Sequence, residues 1–447
     1  MTELKKRELY QKQREAIERL FLHGLEEVSP EKIIRSSVDL DDGVIHICGR
    51  SYAMPEERRV WVFGSGKAVG RMALELEKIL GKSIYDGIVI CPYGLKTDTS
   101  RIQQFEASHP VPDLNSLTAT YELVDVASDV RDTDLVIYLI SGGSSSLLCM
   151  PDEELEFDEV RSLYRQLLQC GAPIGDVNRI RKSISQVKGG RLRSKFGNAT
   201  VELLAASDVP GNDPADIGSG PLVHDPVSSE DALELLRKYE LDKKIPGAII
   251  RFLEKGSGQA GSQHPYQHQH QTRINIVASA ERVAESIRRE AEAMGYSTCL
   301  NEEFLTGEAR RAATEIAARA VEVLARDKPV VKPAALIYYG ETTVTVKGSG
   351  KGGRNQELAL SAAMALEGQH CITLLSGGTD GKDGETNAAG AIANGQTALD
   401  ARKNDINPEA FLENNDSWNF FRRTDGLLIT GVTGNNLMDI QIVLVEK

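Results

Sequence analysis

Positive charge is in short supply in this chain: 52 Lys and Arg stand against 65 Asp and Glu, a formal net charge of -13. That balance argues against a nucleic-acid partner, which selects a basic footprint. It leaves room for anionic substrates, since a few convergent Lys and Arg can override the overall field. Cysteine is sparse as well. Residues 48, 91, 149, 170, 299 and 371 are the six cysteines, and no pair has CxxC or metal-ligand spacing. A disulfide framework or zinc site is therefore not expected, and a reduced, cytoplasmic compartment is the simplest reading. No apolar run approaches the roughly 20 residues of a membrane span, so no membrane partner is expected. Met1 to Leu25 is charged and helical in pattern and lacks the apolar centre of a signal peptide. A G-x-S-x-G elbow is missing, which disfavours a serine hydrolase.

What is present is ordinary in composition, 41% hydrophobic and 26% charged over 447 residues, enough for two or three domains. Apolar runs bounded by turn residues predict strands at Val60–Phe63, Gly87–Cys91, Leu135–Ile140, Val201–Ala206, Ile274–Ala278, Ala335–Tyr339, Ile372–Leu375 and Ile442–Val445. Helical periodicity lies between many of them, at Lys67–Leu80, Ser116–Ser128, Phe157–Gln169, Glu281–Ala293, Glu308–Ala325 and Asn355–Leu366. Alternation of this kind predicts an α/β fold with mostly parallel sheets flanked by helices. A glycine-, glutamine- and histidine-rich stretch has nothing to bury and reads as a linker. It sets expected domains at 1–255 and 273–447 with the linker at 256–272. The last strand could pair with either sheet.

Three turns carry the chemistry. After the first strand, Gly64, Ser65, Gly66 and Lys67 lead into a helix. Such a turn points backbone N–H groups at an anion, and the lysine adds a point charge suited to phosphate. The glycines could instead serve only a tight turn with a solvated lysine. A nicotinamide site would need an acid at the end of the next strand, and Cys91-Pro-Tyr-Gly94 offers none. The second turn is Ser141, Gly142, Gly143, Ser144, Ser145, Ser146, a phosphate cradle by composition, or merely a serine-rich turn. Ser376-Gly-Gly-Thr-Asp-Gly381 echoes it faintly after another strand. The third turn, Gly348 to Gly353, ends in Gly352 and Gly353 and precedes Arg354, whose fork could take carboxylate or phosphate at a helix start.

Acids also follow strands: Asp208 in one case, Asp380 and Asp383 in another. They are candidates for magnesium, which takes one or two carboxylates alongside substrate phosphates, or they bond their own backbone in Asx turns. Asn178-Arg-Ile-Arg-Lys182 and Lys188-Gly-Gly-Arg191 could line an anionic pocket, with a solvated basic face the favoured reading. His264, His268 and His270 sit in the polar linker, where no element would fix them as metal ligands.

Gly66-Lys-Ala68, Ser108-His-Pro-Val-Pro-Asp113, Ser141-Gly-Gly-Ser-Ser-Ser-Leu147, Gln186-Val-Lys-Gly-Gly-Arg191, Ser207-Asp-Val209, Gly218-Ser-Gly-Pro221, Gly340-Glu-Thr-Thr343, Gly352-Gly-Arg-Asn-Gln-Glu357 and Gly377-Gly-Thr-Asp-Gly381 occur in this order. Together they resemble the glycerate 2-kinases that carry a C-terminal MOFRL domain, over most of the chain. The resemblance implies a Rossmann-like N-terminal domain, a smaller MOFRL-like C-terminal domain and an active site in the cleft between them. It also implies phosphorylation of D-glycerate at its 2-hydroxyl by ATP with Mg²⁺. Lys67 and Arg354 match the family's motif lysine and arginine. Ser144, Ser183, Glu385, Asn387 and Leu95 depart from the usual pattern and leave both untouched.

On that reading Lys67 meets the transferring phosphoryl group, and Arg354 meets the glycerate carboxylate or the developing charge. Asp208 orients or deprotonates the acceptor hydroxyl. Asp208, Asp380 and Asp383 are the metal candidates. Gly64, Ser65, Gly66, Ser141–Ser146, Gly352 and Gly353 are the candidate nucleotide-binding residues. The expected partners are D-glycerate and ATP, with homo-oligomerisation left open. Two rivals are a nicotinamide-dependent hydroxypyruvate reductase and a non-catalytic phosphometabolite sensor.

Overall fold

The computed structural model describes residues 3–256 and 272–447. Residues 257–271 of the polar linker, with its three histidines, lie outside the described residues. The chain forms two compact units, Pro30–Val277 and Met1–Ser29 with Ala278–Lys447. The opening helix, Glu3–Glu27, thus belongs with the C-terminal half and not with the N-terminal domain in which the sequence reading placed it. The reason is packing at long range: Ile17, Leu20 and Phe21 are fully buried, and the Phe21 ring lies against Gly377.

The Pro30–Val277 unit begins with an antiparallel meander, β1 (Val38–Asp41), β2 (Val44–Ile47) and β3 (Arg50–Ala53). Its main sheet holds β4 (Val60–Ser65), β5 (Ile84–Pro92), β6 (Gln103–Ala107), β7 (Leu135–Ile140), β8 (Thr200–Ala206) and β9 (Arg273–Ala278). Their spatial order is β6-β5-β4-β7-β8-β9, and the pairings β6-β5, β5-β4, β4-β7 and β7-β8 are all parallel. Every residue of β4 and β7 is buried, as expected of parallel strands covered on both faces. The helix Val69–Leu80 buries Val69, Met72, Ala73, Leu76 and Leu80, one helical stripe. Asp113 caps the helix Leu114–Ala127 in a reciprocal box with Ser116. The chain steps outward from β4 through β5 to β6, then returns to β7 on the other side of β4. Ligands of open α/β sheets bind at such a reversal, beyond the strand C-termini.

The second unit has β10 (Ser297–Leu300), β11 (Ala334–Gly340), β12 (Ile372–Gly378), β13 (Gly390–Asn394), β14 (Leu427–Leu428) and β15 (Asp439–Val445). The order is β10-β11-β15-β12-β13-β14, and only β10-β11 is parallel. The mostly parallel arrangement expected for both sheets therefore fails here. The wholly buried β15 inserts antiparallel between β11 and β12, which settles the pairing of the last strand. Its first residue, Asp439, lies opposite Gly340 on one side and Gly378 on the other.

Candidate functional site

The turns after β4 and β7 are stitched together. Lys67 N–H donates to Gly142 O (2.9 Å), Ala68 N–H to Ser141 Oγ (3.0 Å) and Ser141 N–H to Ser65 O (3.2 Å). Most serine hydroxyls of these turns bond within the protein. Ser65 Oγ meets Ser144 Oγ at 2.5 Å, Ser145 Oγ meets Ser219 Oγ at 2.8 Å, and Ser146 Oγ donates to Gly143 O at 3.1 Å. Backbone donors remain: the N–H groups of Gly142 and Gly143 have no hydrogen-bond partner among the described residues. Gly143 has φ +88°, and a Cβ there would stand 2.9 Å from His109 Cδ2 and 3.4 Å from Lys67 Cγ. A Cβ on Gly142 would stand 2.4 Å from Asp208 Oδ2. Lys67 and Asp208 thus flank successive glycines of one turn. The Lys67 side chain has no hydrogen bond or ion pair among the described residues.

Beneath the turn lie residues that sequence reasoning set aside. Lys188 is buried and donates to the carbonyls of Ser145 (2.8 Å) and Leu148 (2.6 Å), and Tyr164 Oη donates to Ser145 O at 3.2 Å. Burial lowers the Lys188 ammonium to about 7, with the Arg181 charge adding to it. Arg181 and Lys182 are also buried, contrary to the solvated basic face favoured from sequence. Val177, Ile180 and Arg181 share a stripe of the helix Ile174–Ser183, but Asn178, Lys182 and Ser183 are buried too, so the period alone gave no clear signal. Lys182 is paired with Asp225 and Asp216. His109, carried by Ser108-His-Pro110, is pushed down to about 4 by burial and by the charges of Lys67 and Arg181, so it is neutral near pH 7.

The second unit gathers a separate group at one end of its sheet. Arg354 opens the helix Arg354–Ala365, but its fork is already engaged. Nε and Nη2 donate to the two oxygens of fully buried Asp439 (2.5 and 3.1 Å), and Nη1 lies 2.5 Å from Glu341. Burial alone would lower its pKa, and these two carboxylates more than offset that. Two N–H groups of the helix start are engaged as well. Asp383 accepts from Asn355 N–H (3.1 Å) and Gln356 N–H (2.8 Å), and burial pushes its carboxyl up to about 7. Gly353 packs against Asp383, and Gly352 against Ser417. Asp380 accepts from Lys382 N–H at 3.0 Å, an Asx turn.

The three carboxylates named for metal are not gathered within either unit. Asp208 belongs to one, and Asp380 and Asp383 to the other. Among the described residues no group of three or more His, Cys, Asp or Glu is placed to hold a metal. Asp380 has a second carboxylate nearby: a Cβ on Gly378 would stand 3.3 Å from Asp380 Oδ1 and 3.5 Å from Asp439 Oδ1, with Lys382 O nearer still at 2.8 Å. Magnesium arriving with nucleotide phosphates needs no more than one or two such carboxylates.

Residues 16–254 match a family described as a domain of unknown function (DUF4147), and residues 334–439 match the MOFRL family. The D-glycerate 2-kinase of Thermotoga maritima is 40% identical over 87% of this chain and 91% of its own length. The glycerate 2-kinase of Pyrococcus horikoshii is 34% identical over 96% of each. The chain belongs to the glycerate kinase family that carries a MOFRL domain. A crystal structure of the Thermotoga maritima glycerate kinase superposes with a TM-score of 0.85 at 36% identity, covering 97% of this chain and all of that one. Family membership accounts for the order of the turns along the chain. The unpaired Lys67, the orphan N–H groups and the Arg354–Asp439 fork are features of this chain's own geometry.

Proposed function

We propose that the chain is a glycerate 2-kinase that moves the terminal phosphoryl group of ATP to the 2-hydroxyl of D-glycerate, giving 2-phosphoglycerate and ADP. The observation that carries this reading is Lys67. It is an unpaired cation at the strand reversal, beside two unpartnered backbone N–H groups and next to a carboxylate. Phosphoryl transfer passes through a loose transition state, so charge and position supply most of the catalysis.

Lys67 neutralises the transferring group, and the N–H groups of Gly142 and Gly143 hold its oxygens. Asp208 takes the proton of the attacking hydroxyl as the new P–O bond forms and ADP departs. Arg354, oriented by Asp439 and Glu341, directs its remaining donor capacity to an anionic group of the substrates. Asp380 would hold magnesium together with the nucleotide phosphates, whose charge the ion neutralises when bound. Asp383 serves as the cap of the Arg354 helix. The reductase reading is disfavoured because β5 itself ends in Cys91-Pro92 and supplies no acid of its own for a ribose. The test is ADP release that depends on D-glycerate, with L-glycerate and glycerol as controls. Release that ignores the acceptor, or NADH oxidation with hydroxypyruvate, would overturn the reading.

A further inference from the structure

Among the buried basic side chains of the Pro30–Val277 unit, Arg181 stands apart. Lys182 has its two aspartates, Lys188 its two carbonyls, and Arg193 the carbonyls of Gly197 and Ala199. Arg181 is 5% exposed, its Nε is buried without a partner, and its guanidinium has no hydrogen bond or ion pair among the described residues. What it does have is the ring of Tyr164, 4.8 Å from its central carbon. That contact fixes the plane of the cation and leaves its edge donors unused. An uncompensated buried charge is costly, so a cation kept this way points to an anion that arrives from outside.

The surroundings define that anion. Tyr164, over whose ring Arg181 lies, donates to Ser145 O of the turn after β7, and His109 and Lys67 lie against Gly143 of the same turn, so Arg181 sits one residue contact beneath it. No carboxylate figures among the charges that act on Arg181. Lys67 and the turn N–H groups suit a tetrahedral phosphoryl group. A planar fork at a buried position, one-sided against the Tyr164 ring, suits a small planar carboxylate. We propose that Arg181 binds the carboxylate of the three-carbon hydroxy acid, and so selects acidic acceptors over neutral polyols. This rests on the kinase reading given above.

The test uses the full-length chain and the variants Arg181→Lys and Arg181→Met. Binding of D-glycerate, of glycerol as a carboxylate-free probe, and of a non-hydrolysable ATP analogue is measured by calorimetry, with Tm and steady-state kinetics alongside. Arg181→Met is expected to weaken D-glycerate binding and raise its KM about 10- to 100-fold, the range for a charge-assisted bond. ATP affinity and the weak binding of glycerol should hold within about twofold. The Tm of unliganded Arg181→Met should be no lower than wild type, since a buried unpaired charge is removed, and Arg181→Lys should recover part of the affinity. Weakened ATP binding with D-glycerate unaffected would overturn the assignment. So would a lower Tm with both affinities reduced together. If the wild type binds D-glycerate through Arg181 but transfers no phosphate, the kinase reading fails and the carboxylate site stands. If it turns over normally and Arg181→Met leaves KM unchanged, the carboxylate site alone fails.

Discussion

Lys67 carries a charge that no described side chain neutralises, which places its value in the reaction rather than in folding. Lys67→Ala should cost roughly 3–4 kcal/mol of barrier, a loss of about 10²–10³ in kcat, with Tm unchanged. A drop in Tm with kcat preserved would reverse the assignment. His109 gives a pH signature. Its pKa is lowered to about 4 by burial and by the charges of Lys67 and Arg181. The unfolded imidazole titrates near its ordinary value of about 6.5 and binds the extra proton first, so stability rises with pH between the two values. A ring-proton NMR titration should find the midpoint near 4 and higher in Lys67→Met; a midpoint at the ordinary value would contradict the described burial. Arg354 is different again, because it is paired. Asp439→Asn removes the fully buried one of the fork's two carboxylate partners, leaving Glu341, and should cost about 3 kcal/mol in denaturant unfolding. Lys67 and Arg354 stood out in the sequence because each adjoins a glycine-rich turn at the start of a helical pattern. Arg181 was not, since a basic run reads the same whether its stripe faces water or core.

At the scale of elements, the Arg354–Ala365 helix depends on a carboxylate from a distant loop. Asp383 accepts its second and third N–H groups, so Asp383→Ala should cost about 1–2 kcal/mol of stability measured by denaturant midpoint. No change would mean the helix start is satisfied otherwise. The glycine turn after β7 is constrained from the other side. Gly142→Ala would place a methyl 2.4 Å from Asp208 Oδ2, so the carboxylate must shift. The expected result is a kcat lower by at least about tenfold, since misplaced catalytic groups act strongly on rate. Apolar runs of strand length made the central strands legible. The meander β1–β3, the edge strands β6 and β10, and the short β14 were missed because half-exposed strands carry mixed residues, and the buried β13 because its Gly-Ala-Ile-Ala run is short and small. The antiparallel insertion of β15 was likewise hidden, since a wholly buried strand shows the same run whichever way it points.

At the scale of the whole molecule, the opening helix and the C-terminal half are one folding unit despite their separation in sequence. Ile17, Leu20 and Phe21 are completely buried, and each such side chain contributes about 1.5–3 kcal/mol. Removing residues 1–29 should therefore expose the C-terminal unit to rapid limited proteolysis, whereas equal resistance would refute the packing. Sequence pattern showed the helix but could not name its partner, because such contacts carry no local signal. The central claim concerns chemistry at one carbon. The enzyme is incubated with D-glycerate, ATP and Mg²⁺ in the presence of enolase, which consumes 2-phosphoglycerate and not the 3-phosphate. The account predicts an immediate enolase signal matched to ADP, lost in Lys67→Ala. ADP without that signal, or no ADP at all, would contradict it.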